Sequence, residues 1–134
     1  FSKFNQFVAD IGLKIHNLNT DSLYVYLTNT APVATNTVYN TPADLSSGGG
    51  YTAGGAVVPS TSYAQVSGTA TLAGSSLVFT ATTGFGPFRY AVLYNNTAAS
   101  KNLIGWWDYG SAVTLAASET FTVAPTGNVL LTIT

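Results

Sequence analysis

The sequence predicts an all-β domain, a sandwich or jelly roll, entered through one amphipathic helix and interrupted by one long Gly-rich loop. Helical spacing of apolar residues occurs once, at the N-terminus. From Leu23 onward the pattern changes to short β-branched and aromatic runs, separated at close intervals by Gly, Asn, Pro and Ser. At 134 residues the chain has the length of one domain, read as a helix at 1–16 and a β-sandwich at 23–134.

The helix rests on Phe4, Phe7, Val8, Ile11 and Ile15, which recur at helical spacing over residues 2–16 with Lys3, Gln6, Asp10 and Lys14 between them. Ser2 is the expected N-cap. The first strand follows from Leu23, Val25 and Leu27 alternating with Tyr24, Tyr26 and Thr28, and Asn29-Thr30-Ala31-Pro32 ends it. Residues 30–55 hold Pro32, Pro42 and the run Ser46-Ser47-Gly48-Gly49-Gly50-Tyr51-Thr52-Ala53-Gly54-Gly55, too rich in breakers for a long element. A loop above about 15 residues is uncommon in a compact domain and tends to be functional or disordered. This one is therefore a candidate contact arm, with a plain surface excursion as the alternative.

Further strands are expected at 56–58, 61–67, 69–73, 76–82, 87–95, 101–109, 111–115, 119–124 and 128–133. Gly68, Ala73-Gly74-Ser75, Asn95-Asn96, Gly110 and Pro125-Thr126-Gly127-Asn128 punctuate them. Many short strands with no intervening helical pattern indicate a sandwich or jelly roll. Between Phe88 and Tyr94, alternation puts Phe88, Tyr90, Val92 and Tyr94 on one face and Arg89, Ala91 and Leu93 on the other. Both faces are largely apolar, as expected of a central strand covered twice.

Composition limits the function. Only 7% of the residues are Asp, Glu, Lys or Arg, against about 25% in an average soluble domain, while 46% are hydrophobic and 13% aromatic. Four cations and a net charge of −1 give no basic stripe for a run of phosphates, which excludes sequence-specific nucleic-acid binding. The longest apolar runs, such as Ala56-Val57-Val58 and Val129-Leu130-Leu131, fall far short of the roughly 20 residues of a bilayer crossing. No signal-like segment is evident, so a soluble chain without a membrane partner is expected. Absence of cysteine leaves stability to the core and to partners. Weak self-repulsion favours association, which a part of a large assembly tolerates. The sequence also lacks methionine, so Phe1 is read as an internal start with residues before it.

Groups able to do chemistry are few: His16, the carboxylates of Asp10, Asp21, Asp44, Asp108 and Glu119, and the cations Lys3, Lys14, Arg89 and Lys101. No nucleophile elbow, zinc-protease pair or second histidine accompanies them, so neither a catalytic set nor a cofactor is expected. His16 reads as a favourable charge or cap at the end of the helix. The glycines at 48–55 have the composition of a phosphate loop but lack its Lys-Ser/Thr ending and a following helix. Arg89 and Asp108 lie in the two most aromatic strands and are expected to meet as a buried bidentate pair. Trp106 and Trp107 fall on opposite faces of an extended segment, so that one enters the core while the other looks outward as a sugar platform or a protein anchor; packing of both within the domain is the alternative.

Five stretches carry a resemblance: Phe4-Asn5-Gln6-Phe7, Leu27-Thr28-Asn29-Thr30-Ala31-Pro32-Val33-Ala34, Gly49-Gly50-Tyr51-Thr52-Ala53-Gly54-Gly55, Gly86-Pro87-Phe88-Arg89-Tyr90-Ala91-Val92-Leu93-Tyr94-Asn95 and Leu103-Ile104-Gly105-Trp106-Trp107-Asp108-Tyr109-Gly110. Together they resemble a group of small structural proteins of tailed bacteriophages, and the likeness covers nearly the whole chain. The resemblance implies a virion component with a jelly-roll-like β fold, a capsid decoration or cement protein outside an HK97-type shell. Its expected partners are the major capsid protein and further copies of itself, as a homotrimer or else a dimer. The resemblance supplies no catalytic residue. Expected contacts are the N-terminal helix with Phe1, Phe4 and Phe7, the Gly-rich arm with Tyr51, and the strand with Trp106 and Trp107. For the helix the alternative is that its apolar stripe covers the chain's own sheet. Competing functions are a carbohydrate-binding fibre domain and a tail-tube or head-completion protein.

Overall fold

The computed structural model describes residues 1–134, mostly as antiparallel strands with a single α-helix. In chain order the elements are β1 (Ser2–Lys3), α1 (Asn5–Gly12), β2 (Leu23–Thr28), β3 (Ala56–Val57), β4 (Ser62–Val66), β5 (Thr69–Ala73), β6 (Leu77–Thr80), β7 (Gly84–Asn95), β8 (Leu103–Ala116), β9 (Thr120–Val123) and β10 (Val129–Ile133). They form a five-stranded sheet in the order β1-β8-β7-β2-β3, a three-stranded sheet β10-β5-β4 and a two-stranded pair β6-β9. Every expected strand is present, with 101–109 and 111–115 merged into β8. No helix is long and apolar enough to cross a membrane.

The helix is shorter than its periodicity suggests, and hydrogen bonding explains both ends. Ser2 is not its cap: Ser2 and Lys3 pair as β1 with Trp106 and Gly105 of β8. Phe4 occupies the cap position with extended backbone, its N–H bonded to the Ile104 carbonyl, while the Asn5 N–H reaches the Ala34 carbonyl at 2.9 Å. At the other end Lys14 adopts φ 60, and the N–H groups of Lys14 and Ile15 return to the carbonyls of Ile11 and Asp10. This Schellman closure stops the helix although Ile15 continues its apolar spacing.

The β7–β8 pair is the backbone of the large sheet, and its irregularities redirect side chains. Tyr90 stands opposite Asp108 but Phe88 stands opposite Val113, so four residues of β8, Tyr109 to Ala112, bulge out across from Arg89. Gly110, expected as a turn between strands, lies inside this excursion at φ 95. The register shift also moves Phe88 off the face predicted for it. Its ring packs with Ala91 and Leu93 in the larger core, whereas Val92 and Tyr94 face the other way.

Both faces of the sheet are covered. On one, Leu23, Val25, Leu27, Leu93 and Phe7 meet Leu72, Phe79, Val123, Leu130 and Leu131 from the smaller sheets. On the other, Phe4, Tyr26, Val92, Tyr94 and Leu103 form a second cluster against which Tyr39 and Trp106 pack. Each large side chain so buried contributes about 1.5–3 kcal/mol.

Residues 29–55 contain no regular element beyond isolated bridges, yet the segment is no free arm. The Asp44 carboxylate accepts hydrogen bonds from the Tyr39 and Tyr51 hydroxyls and from the Gly54 N–H. Tyr51 in turn accepts the Leu27 N–H at 2.9 Å, Tyr26 donates to the Pro42 carbonyl at 2.8 Å, and Tyr94 donates to the Gly54 carbonyl at 2.9 Å. These bonds bind the loop to β2 and β7. Burial, reinforced by the Asp44 charge, pushes the Tyr26 and Tyr51 phenols far above their usual range and Tyr94 up to about 12.

Candidate functional site

His16 and Asp10 are buried together, and the network around them fixes their chemistry. Asn95, wholly buried at the end of β7, accepts the Thr97 and Ala98 N–H groups on its side-chain oxygen. That orientation directs its amide nitrogen to His16 Nδ1 at 3.1 Å and to Asp21 at 2.6 Å. Nδ1 is thus the acceptor, and Nε2 carries the ring proton. Nε2 has no hydrogen-bond partner, because Asp10 Oδ2 lies 3.8 Å away and is committed to the Asn102 side chain at 2.7 Å.

Burial lowers the His16 pKa despite the nearby carboxylates of Asp10 and Asp21, so the ring is neutral. His16 is therefore not the helix-end charge that the sequence suggested. It lies beyond the Schellman turn, packed on Phe7 and sealed from solvent, where no substrate can exchange a proton with it. A lowered folded-state pKa means that the unfolded chain binds the extra proton first. The stabilisation is present above pH 6.5 and lost as pH falls through the folded value. Thermal melts are expected to show stability declining below pH 6.5, by at most about 1.4 kcal/mol per pH unit from this residue. His16→Gln should remove that component of the decline.

Arg89 and Asp108 meet in a bidentate pair, Nε to Oδ1 at 2.7 Å and the terminal nitrogen to Oδ2 at 2.8 Å. The Gly110 N–H also donates to Oδ1 at 2.7 Å, a bond made possible by the outward excursion of β8. The pair is exposed rather than buried, because that excursion carries it out of the sheet's covered region. The Arg89 guanidinium holds the Asp108 carboxyl below its usual range. Beside the pair is a cleft of about 140 Å³ bordered by Trp107, Tyr109 and Phe121.

The tryptophans take opposite faces of β8, but neither stands free. Trp106 packs on Phe4 at 4.6 Å between ring centroids and Trp107 on Phe1 at 4.8 Å, and both are half-buried. Phe1 rests over Gly105, where a side chain would strike its ring. Three of the residues expected at an interface are interior instead: Phe4 belongs to the second cluster, and Phe7 and Tyr51 to the main core. The helix's apolar stripe is thus divided between the chain's own sheet and solvent, with Val8 57% exposed; Phe1, ahead of the helix, is 50% exposed.

The largest concavity was not anticipated. A groove of about 620 Å³ separates Phe1 and α1 from β10, and its lining is mostly apolar. Its sequence signal is the coincidence of an exposed apolar helix position, Val8, with a charge-free final strand, but their adjacency depends on topology. No group of three or more His, Asp or Glu side chains is arranged to hold a metal ion. Comparison with protein-family models, curated proteins and solved structures finds no match.

Proposed function

We propose that this chain is a non-catalytic virion protein of a tailed phage, a capsid cement or decoration protein with a jelly-roll-like β-sandwich fold. It binds the outside of an HK97-type shell and stabilises it by bridging capsid subunits, in self-associating copies repeated over the lattice.

 The expected partners are the major capsid protein and further copies of this chain in a trimer. The observation that carries the reading is where the five resembling stretches lie. One opens α1, one leaves β2, one holds the loop against β2 and β7, and two are β7 and β8 themselves. They coincide with the large sheet and what packs on it, so the likeness concerns a structural body rather than a reactive site.

A cement protein needs a rigid frame and an adhesive surface used many times. Contacts that are modest singly are amplified by effective concentration once copies sit on a lattice. With 7% charged residues, such contacts lose little energy to salt screening. Particles lacking this protein are expected to release DNA at a lower temperature than complete particles, measured by a nuclease-accessibility melt. Equal resistance would refute the cementing role.

A further inference from the structure

His16 Nε2 is buried without a partner, and the ring's other nitrogen can accept a hydrogen bond only while it is unprotonated. Asn95 donates to Nδ1 at 3.1 Å, and the same amide nitrogen donates to Asp21 at 2.6 Å, which places that carboxylate beside the ring. The Asn95 oxygen accepts the Thr97 and Ala98 N–H groups and so shapes the turn after β7. Two bonds tie that turn to residues 13–22, the connector between α1 and β2. They run from the Asn96 N–H to the Ser22 carbonyl and from the Ser22 N–H to Thr97 Oγ1, both at 2.9 Å. One amide side chain thus joins the ring, the connector and the turn.

A proton on Nδ1 turns this acceptor into a donor aimed at the Asn95 amide N–H. Flipping the amide gives no escape, because its nitrogen would then meet the Thr97 and Ala98 N–H groups and its oxygen the Asp21 carboxylate. The acids that face the ring are Asp10 of α1, 3.8 Å from Nε2, and Asp21 of the connector, on the Nδ1 side. Lys14 and Tyr63 border the adjoining cavity of about 340 Å³, and neither hydrogen-bonds to the ring. We propose that His16 is a pH-sensitive latch: on protonation Nδ1 exchanges Asn95 for Asp21 as its partner, and the Asn95–Ala98 turn comes away from the connector between α1 and β2. Burial keeps the ring neutral while the latch is closed. The latch is independent of the surface through which the chain binds, so a failed particle test leaves it standing.

Amide hydrogen exchange of the full chain, followed by NMR as protection factors between about pH 8 and about pH 5, reads the opening directly. Protection at Ser22, Asn96, Thr97 and Ala98 is expected to fall about tenfold per pH unit below 6.5, since the open state binds one proton that the closed state does not. The amides of β2 and β8 should keep theirs. His16→Gln, whose side-chain oxygen can still accept from Asn95, should hold the four amides protected throughout. Asp21→Asn, which removes the waiting acceptor, should delay the fall to lower pH. Ring nitrogen shifts of the parent chain should show the proton on Nε2 at about pH 8. A ring protonated on Nδ1 at that pH, protection unchanged down to about pH 5, or protection fading evenly over the whole chain would overturn the proposal. So would the parental fall recurring in either variant.

Discussion

Asp44→Ala is expected to destabilise the chain by about 3–5 kcal/mol, because one substitution removes the acceptor of two phenol hydroxyls and a backbone N–H. Tyr51 is almost wholly buried and cannot find water in compensation. A domain of this size has about 5–15 kcal/mol of total stability, so the loss is a large share of it. Urea denaturation measures the cost, and limited proteolysis should reveal new cleavage within residues 29–55. Asp44→Asn, which retains one acceptor oxygen, should lose roughly half as much. If Asp44→Ala unfolds at the parental urea concentration, the loop is held by something other than this carboxylate.

Gly55→Ala should cost about 4 kcal/mol or more, placing it among the severe single substitutions. Gly55 has φ 72, and a Cβ there would overlap the Val25 carbonyl on β2. The next residue, Ala56, pairs with Val25, so relieving the clash would pull β3 from the sheet. Gly12→Ala is the contrast. Gly12 ends α1 with open space around it and no positive φ, so alanine there should raise stability by up to about 1 kcal/mol. Melting temperatures of the two variants should move in opposite directions, and a Gly55→Ala melt equal to the parent's would contradict the close approach.

These two positions illustrate what the sequence could and could not disclose. Strands such as Leu23–Thr28 were legible because alternation along one strand is a local property that burial imposes directly. The helix ends were not, since Ser2 is drawn into pairing with Trp106 and Lys14 turns left-handed while the apolar spacing runs on to Ile15. Phe88 lies on the face opposite to the one that alternation predicts, because a bulge leaves no periodic trace. Asp44 read as an isolated acid in a loop, and its three donors come from residues whose approach only the folded loop creates. The meeting of Arg89 and Asp108 could be anticipated from their strands, but their exposure depends on the excursion at Tyr109–Ala112. The groove required the positions of α1 and β10 together, which no stretch of sequence contains.

The most direct test of the central claim is an electron cryomicroscopy reconstruction of the intact particle with the copies counted. This fold is expected on the outer surface of the shell, in symmetric clusters, each copy touching more than one capsid subunit. Density for the chain confined to the tail, or missing from the particle altogether, would contradict it.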